Sequence, residues 1–175
     1  GYSGATALGI AALEGMNGIN SNFTWGQTFF GQIPGSIGET STFLILLAGA
    51  YMVYTKIASW RIIFGTLAGM IVMSSALNLI GSDTNPMFAI PWYWHLTIGS
   101  FAFGLVYMAT EPVSAANTNL GRWIYGISIG VIVVLIRVIN PAFPEGMMLA
   151  ILFANLLAPA IDFTITSLNT SRRME

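Results

Sequence analysis

The sequence contains no cysteine and very little charge. The absence of cysteine excludes disulfide bonds, thiolate metal sites and iron–sulfur ligation by this chain. Charged residues make up 7% of the chain, against roughly 25% in an ordinary soluble domain. Because a water-soluble fold needs charge on its surface and a bilayer-embedded fold does not, this shortage favours an integral membrane protein. The net charge of −1 leaves no basic face, so nucleic acid is not a predicted partner.

What the sequence does contain is mostly apolar, with 55% hydrophobic residues and a mean hydropathy of +0.73. Five apolar runs each approach the roughly 20 residues that are needed to cross a hydrocarbon core. Glycines spaced four apart, at 65 and 69 and at 126 and 130, predict close helix packing. We therefore predict an all-α integral membrane fold with about five transmembrane helices, which we place at residues 41–57, 62–80, 92–109, 123–139 and 147–165.

The region before the first run looks different. Residues 3–15 predict a short helix capped by Ser3. Residues 17–39, rich in Gly, Asn, Ser and aromatics, predict a re-entrant or surface segment. We accordingly divide the chain into an N-terminal segment (1–40), a transmembrane bundle (41–166) and a C-terminal tail (167–175). A start within a Gly/Ser-rich turn, without a basic region, leads us to expect a piece of a longer polypeptide and not a signal peptide.

The loop charges predict an orientation. Five of the six basic residues fall on one side of the predicted spans, which the positive-inside rule makes cytoplasmic. The C-terminus is then cytoplasmic, and the N-terminal segment with Thr6 is extracytoplasmic. The five basic residues are Lys56, Arg61, Arg122, Arg172 and Arg173.

The opening residues Ser3, Gly4, Ala5 and Thr6 allow two interpretations. They could be an ordinary helix start. They could instead form an attachment site, because Thr6 offers a hydroxyl, Gly4 admits a bulky group, and free N–H groups at a helix start favour a phosphate.

Four segments resemble one family: SGAT at 3–6, GETS at 38–41, EPVSA at 111–115, and RVINPAFPEGMMLAILFAN at 137–155. The chain resembles the B subunits of sodium-translocating NADH:quinone oxidoreductases, and it is similar also to the related RnfD subunits. The resemblance implies that Thr6 carries FMN through a phosphoester bond made by a separate flavin transferase, with Ser3, Gly4 and Ala5 completing the motif. It also implies the C-terminal half of a urea-transporter-like inverted repeat with five helices in each half.

The resemblance further implies a redox subunit in a bacterial inner membrane that is not catalytic alone. Electrons would come from other subunits and leave towards quinone, coupled to Na⁺ transport. NADH would be oxidised elsewhere, and a second flavin, riboflavin, would belong to the complex. Two alternatives stay open: an RnfD subunit of a ferredoxin-linked complex, and a channel or secondary transporter without redox chemistry.

Carboxylates near the membrane edges are candidates for an ion pathway, since oxygen ligands suit a hard cation. Asp162 and Glu111 are predicted to admit Na⁺ from the cytoplasm, and Glu39 or Glu145 to serve its exit. For Glu111 and Glu145, interfacial solvation is an equal alternative.

Other residues receive weaker predictions. Arg137 is interpreted as structural, snorkelling outward or pairing with Glu145, with neutralisation of a flavin phosphate as the alternative. The single histidine, His95, is interpreted as an interfacial residue and no metal site is predicted. Three aromatic residues could stack on the flavin ring or simply lie at the membrane surface: Trp25, Phe29 and Phe30.

Overall fold

The computed structural model describes residues 6–82, 84–140 and 144–174, with side chains described up to residue 170. Within these residues the regular structure is helical, which confirms the all-α prediction. A 3₁₀ turn at Pro86–Ala89 and a π-helical stretch at Gly104–Met108 accompany the α-helices. The α-helices are α1 (Ala7–Asn22), α2 (Trp25–Phe30), α3 (Thr42–Tyr54), α4 (Trp60–Ile80), α5 (Trp92–Thr97), α6 (Phe101–Phe103), α7 (Asn119–Ile139) and α8 (Met147–Met174).

The first helix starts and ends later than the sequence predicts. Its N-cap is Thr6, whose hydroxyl accepts a hydrogen bond from Gly9 N, so the predicted cap at Ser3 is wrong. The helix continues to Asn22 through a kink at Gly15, where φ is +63°. Gly15 is needed there because a Cβ would lie 2.7 Å from Pro86 Cβ.

Three of the five apolar runs form helices that are long and apolar enough to cross a membrane: α4, α7 and α8 over Met147–Thr170. This marks the chain as a multi-pass membrane protein. The first run forms only the 13-residue α3, about 20 Å long at 1.5 Å per residue. The prediction of one continuous helix over 92–109 is wrong, because the chain breaks between α5 and α6.

The glycine pairs hold the centre of the fold together. α4 and α7 pack along their lengths, and α8 packs on the other side of α7. A Cβ on Gly126 would lie 2.7 Å from Ile62 O, and one on Gly65 would lie 3.1 Å from Trp123 O. The predicted close approach of small residues is therefore confirmed, with backbone lying against backbone.

Candidate functional site

The third apolar run is interrupted at Gly99, whose φ of +69° belongs to the left-handed region. The interruption leaves the last carbonyl groups of α5 and the first N–H groups of α6 without helical partners. Such ends carry partial charges, negative at the end of α5 and positive at the start of α6. We call Ile98, Gly99 and Ser100 the helix break.

Arg137, from the last turn of α7, satisfies the carbonyl side of the helix break. Its Nη1 donates to His95 O at 2.8 Å and its Nη2 donates to Ile98 O at 3.1 Å. Its Nε donates to the main-chain oxygen of Glu145 at 3.2 Å. Because the side chain is only 1% exposed, the outward-snorkelling interpretation is wrong. Arg137 nevertheless has a structural role, because its charge lies against the carbonyl groups that end α5.

Glu145 satisfies the N–H side of the helix break. Its Oε2 accepts hydrogen bonds from Ser100 N and Ser100 Oγ, each at 2.8 Å. A Cβ on Gly99 would lie 2.8 Å from this oxygen and 3.1 Å from Arg137 Nη2. A cation and an anion therefore flank the break on its two sides, and only glycine fits between them.

A small cavity of about 30 Å³ lies beside the helix break. Its lining includes Gly99 and three predicted site residues that are far apart in sequence: Thr6, Glu39 and Glu145. Arg137 does not line it. Ser3, Gly4 and Ala5 lie outside the described residues. The structure thus brings the predicted attachment residue together with the two carboxylates assigned to ion exit.

Thr6 is exposed at the start of a 16-residue helix, and its Oγ1 accepts from Gly9 N at 3.1 Å. An accessible hydroxyl in this position fits a phosphoester, because the N–H groups of the first turn can bind phosphate oxygens. Glu39 and Glu145 would repel a phosphate inside the cavity. Thr6 would therefore hold FMN through its hydroxyl, and the carboxylates of the cavity would not contribute to phosphate binding.

The two carboxylates themselves suit a cation. No residue in the described part of the chain donates a hydrogen bond to the Glu39 carboxylate, and only Oε2 of Glu145 is engaged. A space of about 30 Å³ is the size of one water or one small ion. Within the described residues, no cluster of three or more His, Asp or Glu forms a metal site.

The other two predicted ion residues lie towards the opposite end of α7. The Asp162 carboxylate accepts from Asn117 N at 2.6 Å and from Thr118 Oγ1 at 2.6 Å, which ties α8 to the start of α7. The Glu111 carboxylate accepts from Ser114 Oγ and from the N–H groups of Val113 and Ser114. The Ser114 hydroxyl bond, followed by these two backbone bonds, lowers the pKa of Glu111.

The aromatic residues of α2 stack on one another. Trp25 and Phe29 are parallel with ring centroids 4.9 Å apart, and Phe30 lies 5.6 Å from Phe43 of α3. Trp25 Nε1 also donates to Tyr93 O at 3.2 Å. These contacts connect α2 to α3 and α5. They give the three aromatics a packing role, and their stacking on a flavin stays a prediction.

Three residues of this region were missed or misplaced by sequence reasoning. His95 is 1% exposed, so the prediction of an interfacial side chain is wrong. Gly99 and Ser100 had no predicted role. The available signal was a polar Gly-Ser pair in the middle of an apolar run, with a histidine one helical turn earlier.

Comparison with known proteins places the chain in a family. The NQR2, RnfD, RnfE family model matches residues 1–170. Three relatives that are named as B subunits of Na(+)-translocating NADH-quinone reductase match 99% of the chain: those of Azotobacter vinelandii at 61% identity, Neisseria meningitidis serogroup A at 58% and Pseudomonas aeruginosa at 56%. The chain spans 43% of the length of each of these relatives. The chain therefore belongs to the NQR2, RnfD, RnfE family.

Proposed function

We propose that this chain is part of the membrane redox subunit of a sodium-translocating NADH:quinone reductase, and that Thr6 carries covalent FMN. The relatives' names support the complex, at 56–61% identity over almost the whole chain. The observation that carries the site is Thr6 itself, an exposed hydroxyl at the start of α1 beside a cavity lined by two carboxylates.

The residues of this chain anchor and orient; they do not perform acid–base chemistry. When bound, FMN supplies the electron transfer. Thr6 holds the group at one point, and the first turn of α1 offers N–H groups to its phosphate. In this proposal other subunits oxidise NADH and supply the electrons, which leave this subunit towards quinone. A second flavin, riboflavin, belongs to the complex. A separate flavin transferase attaches FMN.

The proposal assigns Na⁺ exit to Glu39 and Glu145, because their carboxylates share one ion-sized cavity. It assigns entry to Glu111 and Asp162, where the ion would replace the donors that now bind their oxygens. Asp162→Asn in the complete complex tests the entry assignment. An unchanged Na⁺ requirement for turnover would remove Asp162 from the pathway.

We further propose a bacterial inner-membrane location, with Thr6 extracytoplasmic and the C-terminus cytoplasmic. Lys56, Arg61 and Arg122 line one cavity, so these three cytoplasmic markers meet at one end of the bundle. Arg122 and Arg137 lie near opposite ends of α7, whose 21 residues extend about 30 Å. The division into 1–40, 41–166 and 167–175 remains a proposal, and α8 runs through its last boundary to Met174.

In this arrangement the short α3 and the broken pair α5–α6 would complete five membrane passes. Such a bundle would be half of a urea-transporter-like inverted repeat. Transporters built from inverted repeats commonly have broken helices at their substrate site. The same break is the observation that favours a secondary transporter as the second candidate function, and covalent flavin distinguishes the two. An RnfD-type protein would share the flavin and differ in using ferredoxin as the electron source.

The test uses the full-length protein co-expressed with a flavin transferase, followed by denaturing electrophoresis and in-gel fluorescence. Wild type should give a fluorescent band, and Thr6→Ala should lose it. The matched control is Thr6→Asn, because asparagine is a good N-cap but offers no hydroxyl for the ester. We expect no fluorescence from Thr6→Asn although α1 stays capped.

Two results would contradict the proposal. A wild-type band without fluorescence would show that this protein carries no covalent flavin, and the transporter would become the preferred function. A fluorescent Thr6→Asn band would place the flavin on another residue.

A further inference from the structure

A second and larger cavity, which we call the basic cavity, lies at the end of the bundle far from Thr6. Its volume is about 420 Å³. Three of the six basic residues of the chain line it: Lys56, Arg61 and Arg122. None of the described residues in its lining is acidic. Three like charges around one space repel one another unless an anion lies between them.

Nearby groups compensate this positive charge only in part. The Arg61 guanidinium lies over the Trp60 ring, with its Cζ 4.8 Å from the ring centroid, and this contact leaves its charge in place. Arg122 Nε donates to Ala116 O, a neutral carbonyl. The Asp162 carboxylate interacts electrostatically with Arg122 and offsets part of its charge, while Lys56 and Arg61 keep the basic cavity positive.

The backbone at the mouth of the basic cavity adds to the positive potential. Ser59 is the N-cap of α4, yet its side chain makes no capping bond, and its buried Oγ has no partner in the described residues. The N–H groups of Trp60 and Arg61, two residues of the cavity lining, therefore lack the usual side-chain acceptor. Lys56 has a φ of +60°, a backbone conformation that residues other than Gly and Asn rarely adopt.

The surroundings of the basic cavity match a lipid. Trp60 and Trp123 pack edge to face at 5.8 Å, as aromatic residues do at a membrane interface. Tyr54 and Ile57 beside the cavity are 84% and 61% exposed, which provides an apolar surface for acyl chains. A headgroup in the basic cavity would place its chains along this surface.

We propose that the basic cavity binds the phosphate group of an anionic glycerophospholipid. Basic pockets between membrane helices are suited to such headgroups, since each Lys or Arg attracts the anion and the interface orders the chains. Lys56, Arg61 and Arg122 supply the charge, and the start of α4 supplies backbone donors. This site is independent of the flavin on Thr6.

The test is native mass spectrometry of the full-length protein in detergent with added phosphatidylglycerol or phosphatidylcholine. The cavity variant is Arg61→Gln/Arg122→Gln. The matched control is Arg172→Gln/Arg173→Gln, which removes the same charge from the C-terminal end. Each basic residue contributes about fivefold to the affinity for an anionic lipid. The cavity variant, which lacks two of them, should therefore bind phosphatidylglycerol about 25-fold more weakly. The control variant should bind as wild type does, and phosphatidylcholine binding should not change.

Lys56→Gln is a second test variant that should fold normally. Lys56 is exposed, and its replacement leaves the hydrogen bond of Arg122 intact. We expect it to weaken phosphatidylglycerol binding about fivefold. Equal loss in the cavity and control variants would overturn the proposal, since it would indicate general surface attraction. Binding of inorganic phosphate without any detectable phosphatidylglycerol adduct would also overturn it, because the site would then take free phosphate and not a lipid.

Discussion

At the scale of single residues, Arg137 is the side chain on which the site region depends most. A buried guanidinium is costly unless its donors are used, and here three main-chain carbonyls use them. The planar fork of arginine suits three acceptors that come from two different parts of the chain. The residue connects the end of α7, the end of α5 and the start of α8.

Replacing Arg137 by Met should lower the stability of the full-length protein by about 3 kcal/mol or more, because two buried carbonyls and one partly buried carbonyl lose their donor. Arg137→Lys keeps the charge but not the fork, so its melting temperature should fall between those of Arg137→Met and wild type. Thermal unfolding in detergent measures both. An unchanged melting temperature for Arg137→Met would contradict the role given to this side chain.

At the scale of elements, the helix break is the feature that the apolar pattern concealed. A run of apolar residues predicts a span by its length, and the pattern carries no information on where backbone groups find partners outside the helix. The partners of the break come from Arg137 and Glu145, about 40 residues further along the chain. The long helices α4, α7 and α8 were predictable because their hydrogen bonds are local.

Gly99→Ala should be clearly destabilising. Its φ is +69°, and the new Cβ would lie 2.7 Å from Leu8 Cδ2 and 2.8 Å from Glu145 Oε2. Gly38→Ala is the control, since Gly38 also has a positive φ, of +91°, but no neighbour within 4 Å. Backbone strain of about 1 kcal/mol or more applies to both, so Gly99→Ala, with its added collisions, should melt lower. Equal melting temperatures would mean that the break tolerates a side chain.

The packing of α4 on α7 gives a second prediction at this scale. A Cβ on Gly130 would collide with Thr66 O in the facing helix, so Gly130→Ala should lower the melting temperature. Gly26 in α2 has no atom within 4 Å of such a Cβ, and Gly26→Ala should stabilise by up to about 1 kcal/mol. Thermal unfolding of both variants checks the opposite signs, and a stabilised Gly130→Ala would refute the packing.

At the scale of the whole molecule, the two cavities contain different sets of predicted residues. Thr6, Glu39 and Glu145 share one cavity, and Lys56, Arg61 and Arg122 line another. The sequence indicated this division through loop charges, and the structure brings each group together. Sequence reasoning could not show that the acidic group lies beside the helix break, because that proximity depends on folding over more than 100 residues.

The double variant Glu39→Gln/Glu145→Gln should raise the Na⁺ concentration needed for half-maximal quinone reduction about tenfold or more in the complete complex. Removing two carboxylates removes the charge that attracts the ion, while glutamine oxygens can still accept from Ser100. Glu14→Gln, at an exposed position on α1, is the control and should change nothing. An unchanged Na⁺ requirement in the double variant would exclude the exit assignment.

The central claim is that Thr6 anchors FMN, and peptide mass spectrometry tests it most directly. The full-length protein, co-expressed with a flavin transferase, would be digested with pepsin, and the fragments spanning residues 1–15 would be sequenced by fragmentation. The account predicts a peptide whose mass is increased by one FMN less one water, with the addition located on Thr6. The same peptide found only unmodified, or modified at Ser3, would contradict the claim.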